Sequence, residues 1–192
     1  MNKDTKFIDY IDRVSKCKRC KLCGLGQHRC PGLGNLNAKV MFIGEAPGKV
    51  ENPELRGLPF VGNRSSDLLL ECVYTNWPNG YDDVYITNTV KCNPPDNRKP
   101  EDSEILACKQ FLREEINLVN PKVIVCLGRT AANWFGITEP LNRAVYIDYK
   151  WEGCLVKVLY HPAYVLRFGF QATLQYLAFF RLMKKRIDEY VG

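Results

Sequence analysis

The sequence predicts an α/β fold: a three-layer α/β/α sandwich around a central four-stranded parallel sheet. Four short apolar runs, AKVMFIG, DDVYITNTV, PKVIVCLG and GCLVKVLYHP, each have the length and content of a buried strand. Segments of helical spacing separate them, which is the pattern of parallel strands joined by crossover helices and covered on both faces. Three of the four runs end in a polar turn, bearing Glu45, Asn88 and His161. In sheets of this kind ligands bind outside the carboxyl ends of the strands. The turns GEAPG, TNTVKCNPPDNR and HPAYVLR therefore converge on one crevice.

The elements follow in order. Residues 3–14 place Phe7, Ile8, Ile11 and Val14 at helical spacing, a short amphipathic helix. Cys17 to Asn37 is rich in Cys, Gly and basic residues and reads as loop. The first strand ends in the GEAPG turn, and residues 52–65, with Pro53, Gly57, Pro59 and Gly62, form a loop before the helix SSDLLLECVY. The second strand feeds KCNPPDNRKP, whose prolines bar both a regular helix and ladder pairing. Pro100 then opens the helix EDSEILACKQFLREEINLV, with acidic residues in its first turn. RTAANWFG starts a helix after the third strand, and QATLQYLAFFRLMKKRIDEY closes the chain as a long one. With 192 residues and no internal repeat, a single domain over 1–192 is expected, with a cysteine-rich segment at about 15–37.

Composition narrows the function classes. Hydrophobic residues make up 46% and charged residues 25%, an ordinary globular balance. No apolar run reaches the length of a membrane span, and MNKDTKFIDYIDRV lacks the apolar core of a signal peptide. A cytoplasmic protein with no membrane partner is expected. The formal charge is +6, and residues 1–40 hold nine basic against three acidic side chains, so the whole excess sits there. That concentration suits a polyanion or an anionic cofactor. In a reducing compartment the nine cysteines are not a disulfide framework. Cys72, Cys126 and Cys154 lie in apolar runs and read as small buried hydrophobes. Four of the remaining six, Cys17, Cys20, Cys23, Cys30, Cys92 and Cys108, are expected to bind metal. Zinc and an iron–sulfur cluster both accept four thiolates, so donor type alone leaves the metal open.

GEAPG at 44–48, PFVG at 59–62, YITNTVKCNPPDNR at 85–98, CLG at 126–128 and HPAYVLR at 161–167 occur in that order. Together they resemble the family 4 uracil-DNA glycosylases, the iron–sulfur members of their superfamily, from about Cys17 to Arg167. The resemblance implies a uracil-DNA glycosylase-like fold, matching the sandwich read from the strands. It implies a DNA repair enzyme that flips uracil out of DNA and hydrolyses its N-glycosidic bond, leaving an abasic site. It further implies a [4Fe–4S] cluster on Cys17, Cys20, Cys92 and Cys108. Cys23 forms a competing C-x-x-C with Cys20, and Cys30 lies in the same loop; the distance from Cys20 to GEAPG resembles the family's, which favours Cys17.

An extruded base must be stacked, read along its edge, and relieved of the charge that leaves with it. By the resemblance, Phe60 stacks the ring, and Ala46 belongs to the substrate-binding turn, where other branches carry an aspartate. Asn88 reads the edge: its amide donates to uracil O4 and accepts from N3–H, a pattern that cytosine reverses. His161 donates to O2, where negative charge collects. Glu45, Glu51 and Asn97 occupy the family's remaining catalytic positions, and which of them orients water is open. Leu166 is the apolar wedge into the duplex and Arg167 a flanking phosphate contact. Uracil-containing DNA is the implied partner of a monomer. The chain departs from the pattern at Glu51-Asn52, at NRSS after PFVG and at Arg143-Ala144. It also lacks the basic insertion before the histidine that marks cross-linking relatives, so turnover is expected. Competing readings are a non-catalytic or inhibitory DNA-binding relative, a glycosylase for another deaminated base such as hypoxanthine, and a metal-stabilised redox protein.

Overall fold

In chain order, the strands of the computed structural model are β1 (Leu33–Gly34), β2 (Val40–Gly44), β3 (Val84–Asn88), β4 (Val123–Leu127), β5 (Tyr149–Trp151) and β6 (Cys154–Leu159). The structure describes residues 2–25, 28–49 and 57–191. Glu51 and its neighbour Asn52 lie outside the described residues. The helices are α1 (Lys3–Ser15), α2 (Arg64–Asn76), α3 (Asp102–Val119), α4 (Arg129–Trp134), α5 (Leu141–Ala144), α6 (Pro162–Val165) and α7 (Gly169–Val191). None among the described residues is long and apolar enough to cross a membrane.

The sheet has six strands in the order β1-β3-β2-β4-β6-β5, where the sequence reading has four. The four expected strands are its parallel core, and every residue in them is buried. The two additional strands pair antiparallel at the edges, β1 on β3 and β5 on β6. They are two and three residues long, too short to carry a periodic signal. β5 returns into β6 through Glu152 and Gly153, whose φ angles of 48° and 84° are those of a two-residue hairpin turn.

Alternation along the strands sorts the core into two layers. Val40 and Phe42 of β2, with Val123 and Val125 of β4, face the side packed by α2 and α7. Met41 and Ile43, with Ile124 and Cys126, face the side packed by α3 and α4. Tyr10 and Val14 of α1 seal against Phe111 of α3. Cys72, Cys126 and Cys154 are buried, as their apolar contexts imply.

Two features of this frame position the crevice. The chain leaves β2 for β3 on one side and returns to β4 on the other, so the winding reverses at β2 and a gap opens beyond Gly44. The NRSS segment also starts α2 firmly: the Asn63 side chain caps the helix, accepting from the Ser66 backbone N–H at 3.0 Å and from the Ser65 hydroxyl at 2.6 Å.

Candidate functional site

Beyond the carboxyl ends of the parallel strands lies a cavity of about 670 Å³. Glu45 and Ala46 reach it from the turn after β2 and Asn97 from the loop after β3. Gly128 and Arg129 come from the end of β4, and His161, Leu166 and Arg167 from the segment after β6. Among its described lining residues, Lys49, Arg64, Arg98, Arg129 and Arg167 stand against the single acid Glu45. The mouth therefore favours a polyanion.

Phe60 and Asn88 do not line this open cavity; both are buried beneath it. They close over Gly44 together, and Phe60 meets His161 there. The Phe60 and His161 rings lie 6.2 Å apart at 32°. A Cβ on Gly44 would come within 2.4 Å of the Phe60 ring and 2.5 Å of Asn88 Oδ1, so only glycine lets both side chains close over the end of β2. Phe60 itself holds a left-handed φ of 52°, an unfavourable conformation for an aromatic residue and one that concentrates at ligand sites. Asn88 is 1% exposed, and neither its amide oxygen nor its amide nitrogen has a hydrogen-bond partner. An orphaned buried amide costs about 1–3 kcal/mol per group, a cost removed when a matching polar edge arrives.

His161 Nδ1 accepts from the Ala163 backbone N–H at 3.2 Å. A neutral imidazole accepting at one nitrogen carries its proton on the other, so Nε2 is the donor. Burial lowers the imidazole pKa from 6.5 to about 4, which keeps the ring neutral. The Glu45 carboxylate accepts a short hydrogen bond from the Thr130 hydroxyl at the start of α4. Asn97, at a left-handed φ of 52°, accepts at Oδ1 from the Lys49 backbone N–H at 2.8 Å and from Asn93 Nδ2 at 3.0 Å. Its oxygen thereby ties the GEAPG turn to the loop after β3.

The cysteines gather elsewhere. Cys17, Cys20, Cys23, Cys92 and Cys108 line one small pocket of about 20 Å³ between α1, α3 and the loop after β3. Cys30 is buried outside it. Burial pushes the Cys92 thiol up to about 12, and the nearby Cys108, Cys20 and Cys17 add to the rise. The Lys91 backbone N–H points at Cys108 Sγ at 3.3 Å. Arg29 clamps the loop by donating to the carbonyls of Cys17 and Cys23 at 3.2 and 3.1 Å. The donor set is entirely sulfur, with N–H and cationic groups beside it, which fits a thiolate-bound metal centre, zinc or iron–sulfur alike. Among the described residues no three His, Cys, Asp or Glu side chains are arranged to hold a single metal ion.

Residues 31–182 match the family model described as the uracil DNA glycosylase superfamily. The chain belongs to that superfamily. Curated relatives include the type-4 uracil-DNA glycosylase of Archaeoglobus fulgidus, 41% identical over 71% of this chain and 71% of that protein. The type-4 enzyme of Thermotoga maritima is 41% identical over 71% of this chain and 70% of its own length. That of Sulfurisphaera tokodaii is 40% identical over 71% of this chain, and the match spans 64% of the relative.

Set within the superfamily, the crevice gathers Glu45, Ala46, Asn97, His161, Leu166 and Arg167, with Phe60 and Asn88 at its base. Three residues around the site have no role in the sequence reading. Thr130 braces Glu45, and its only sequence signal is its place just past CLG, at the end of a strand that carries no catalytic motif. Lys91 and Glu115 form a buried ion pair at 2.6 Å beneath the site. Lys91 lies inside the recognised TNTVKC motif, but Glu115 comes from mid-helix and gives no local signal.

Proposed function

We propose that the chain is a uracil-DNA glycosylase: it extrudes uracil from DNA and hydrolyses the N-glycosidic bond, leaving an abasic site. The observation that carries this reading is the buried amide of Asn88, unpartnered at both atoms, closing over Gly44 with Phe60, whose ring lies 6.2 Å from His161. A side-chain amide offers one donor and one acceptor in a plane, the complement of uracil O4 and N3–H. Cytosine presents the reverse order and would leave both groups unpaired, which discriminates strongly.

As the glycosidic bond breaks, its electron pair leaves with the base and negative charge gathers on O2. His161, neutral with its proton on Nε2, is a donor for that oxygen. Glu45, held by Thr130, is the carboxylate available to orient water and to stabilise the sugar cation. The water oxygen then bonds to C1′ as its proton passes to the Glu45 carboxylate, and uracil leaves as the anion stabilised at O2. Leu166 fills the place vacated in the stack, and Arg167 with the other basic lining residues holds phosphates.

Cys17, Cys20, Cys92 and Cys108 would hold a [4Fe–4S] cluster, with Cys23 in the same pocket. When bound, the cluster supplies a cross-link between the basic N-terminal segment and the loop after β3, and the excision itself draws on the residues of the crevice. The test is excision from a labelled oligonucleotide followed by alkali. Strand cleavage at uracil, but not at cytosine or thymine, supports the reading. Cleavage at hypoxanthine alone, or none at any base, rejects it.

A further inference from the structure

The segment after β6 is a wall between two cavities. Leu166 and Arg167 face the polar crevice with His161, while Val165 and Phe168 face a second cavity of about 270 Å³ on the far side. Tyr164 lines both. The second cavity is aromatic. Tyr160 and Tyr164 stack at 5.3 Å, Tyr164 and Phe168 lie 4.9 Å apart, and Tyr146 meets Phe179 edge-on at 5.9 Å. Phe168 is 61% exposed and Tyr146 71% exposed, so the rings present open faces rather than filling a core. Exposed aromatic rings stepped at these distances are platforms on which successive bases stack.

We propose that this second cavity holds the nucleobase next to the extruded uracil on the same strand, unpaired and stacked on Tyr164 and Phe168. The proposal rests on the glycosylase reading and extends it to the flanking nucleotide. Three observations select a nucleobase as the occupant. The cavity abuts the proposed uracil crevice, with Tyr164 lining both. The two are separated by the segment that carries the wedge, Leu166, so a strand crossing that segment places consecutive bases on either side. Arg167 stands on the same wall, where the phosphate between those two nucleotides would pass. Among its described lining residues there is no carboxylate or cationic side chain, so stacking rather than edge-reading governs the fit and any base is accepted. An unpaired neighbour costs nothing in single-stranded DNA, so single-stranded uracil is the favoured substrate.

The test compares steady-state excision from two single-stranded oligonucleotides, one with ordinary nucleotides beside uracil and one with base-free spacers on both sides. In the wild-type protein the spacers raise KM about 5- to 100-fold, the loss of one stacked base. Phe168→Ala raises KM on the ordinary oligonucleotide and abolishes the spacer effect, with kcat unchanged, and Phe168→Tyr restores it. 2-Aminopurine beside uracil is quenched on binding the wild type and not Phe168→Ala. Equal KM on both oligonucleotides with the wild type overturns the proposal, as does an equal rise on both in Phe168→Ala. No effect of Phe168→Ala on either assigns the pocket to a protein partner and overturns it too. If the wild type excises no uracil, the glycosylase reading falls and takes this one with it.

Discussion

Asn88 and Lys91 are three residues apart, both polar and both sealed from solvent at 1% and 2% exposure, yet their surroundings are opposite. The Lys91 ammonium donates to Thr87 Oγ1 at 2.6 Å, to the Asn88 carbonyl at 2.8 Å and to Glu115 Oε2 at 2.6 Å. Glu115, fully buried, accepts in turn from the Gly32 backbone N–H at 2.6 Å and the Tyr85 hydroxyl at 3.3 Å. The ammonium thus has three acceptors, and its carboxylate partner has donors of its own. The Asn88 amide has nothing. The charged network fixes the end of β3, while the amide three residues earlier is left open, as the proposed base-reading role requires. The Lys91 bond to the Asn88 carbonyl joins them, because the satisfied residue holds the backbone of the unsatisfied one.

Substitutions break this contrast in ways that separate its halves. The largest effect is expected from Asn88→Leu, which removes base reading. Single-turnover excision of uracil should fall by about 10⁴-fold, the scale on which a hydrogen-bonding site discriminates. The melting temperature should hold or rise, because an orphaned amide is gone. A large loss of stability would mean the amide has a structural partner after all. His161→Ala, which deletes one donor, should lower the single-turnover rate by about 10²- to 10³-fold. Near-normal rates would remove His161 from the chemistry.

The same histidine sets a pH dependence. Its folded pKa of about 4 lies below the ordinary 6.5, so the unfolded chain takes up a proton first as pH falls. Its contribution to stability is complete above about 6.5 and is lost as the pH drops towards 4. Urea denaturation across that interval should show a slope in the wild type that His161→Ala lacks.

Lys91→Met tests the other half of the contrast. It should destabilise the fold by about 3–5 kcal/mol, because Glu115 keeps a buried charge with no counterion. Lys91→Met combined with Glu115→Leu should recover much of that loss in the same denaturation measurement. The smallest effect belongs to the cavity mouth. Arg167→Ala should weaken DNA binding and reduce the slope of log affinity against log salt by about 1, the signature of one lost phosphate contact.

The sequence made the buried frame legible because each core strand is a continuous apolar run and strand-end turns are rich in Gly and Pro. It also named the crevice residues, since GEAPG, TNTVKC and HPAYVLR are contiguous motifs. It missed β1 and β5, whose pairing depends on neighbours already in place rather than on their own composition. It did not reveal that Phe60 and Asn88 sit beneath the open cavity, nor that Thr130 holds Glu45.

Local chemistry, then, was set by the chain order alone: which strands are buried, which turns carry polar groups, and where the cysteines cluster along the chain. Tertiary structure alone decided which polar groups find partners. Glu115 reaches Lys91 across 24 residues and Thr130 reaches Glu45 across 85. Hydrogen bonds act within about 3 Å in space whatever the separation along the chain, so satisfaction and its absence at Asn88 exist only once the chain has folded.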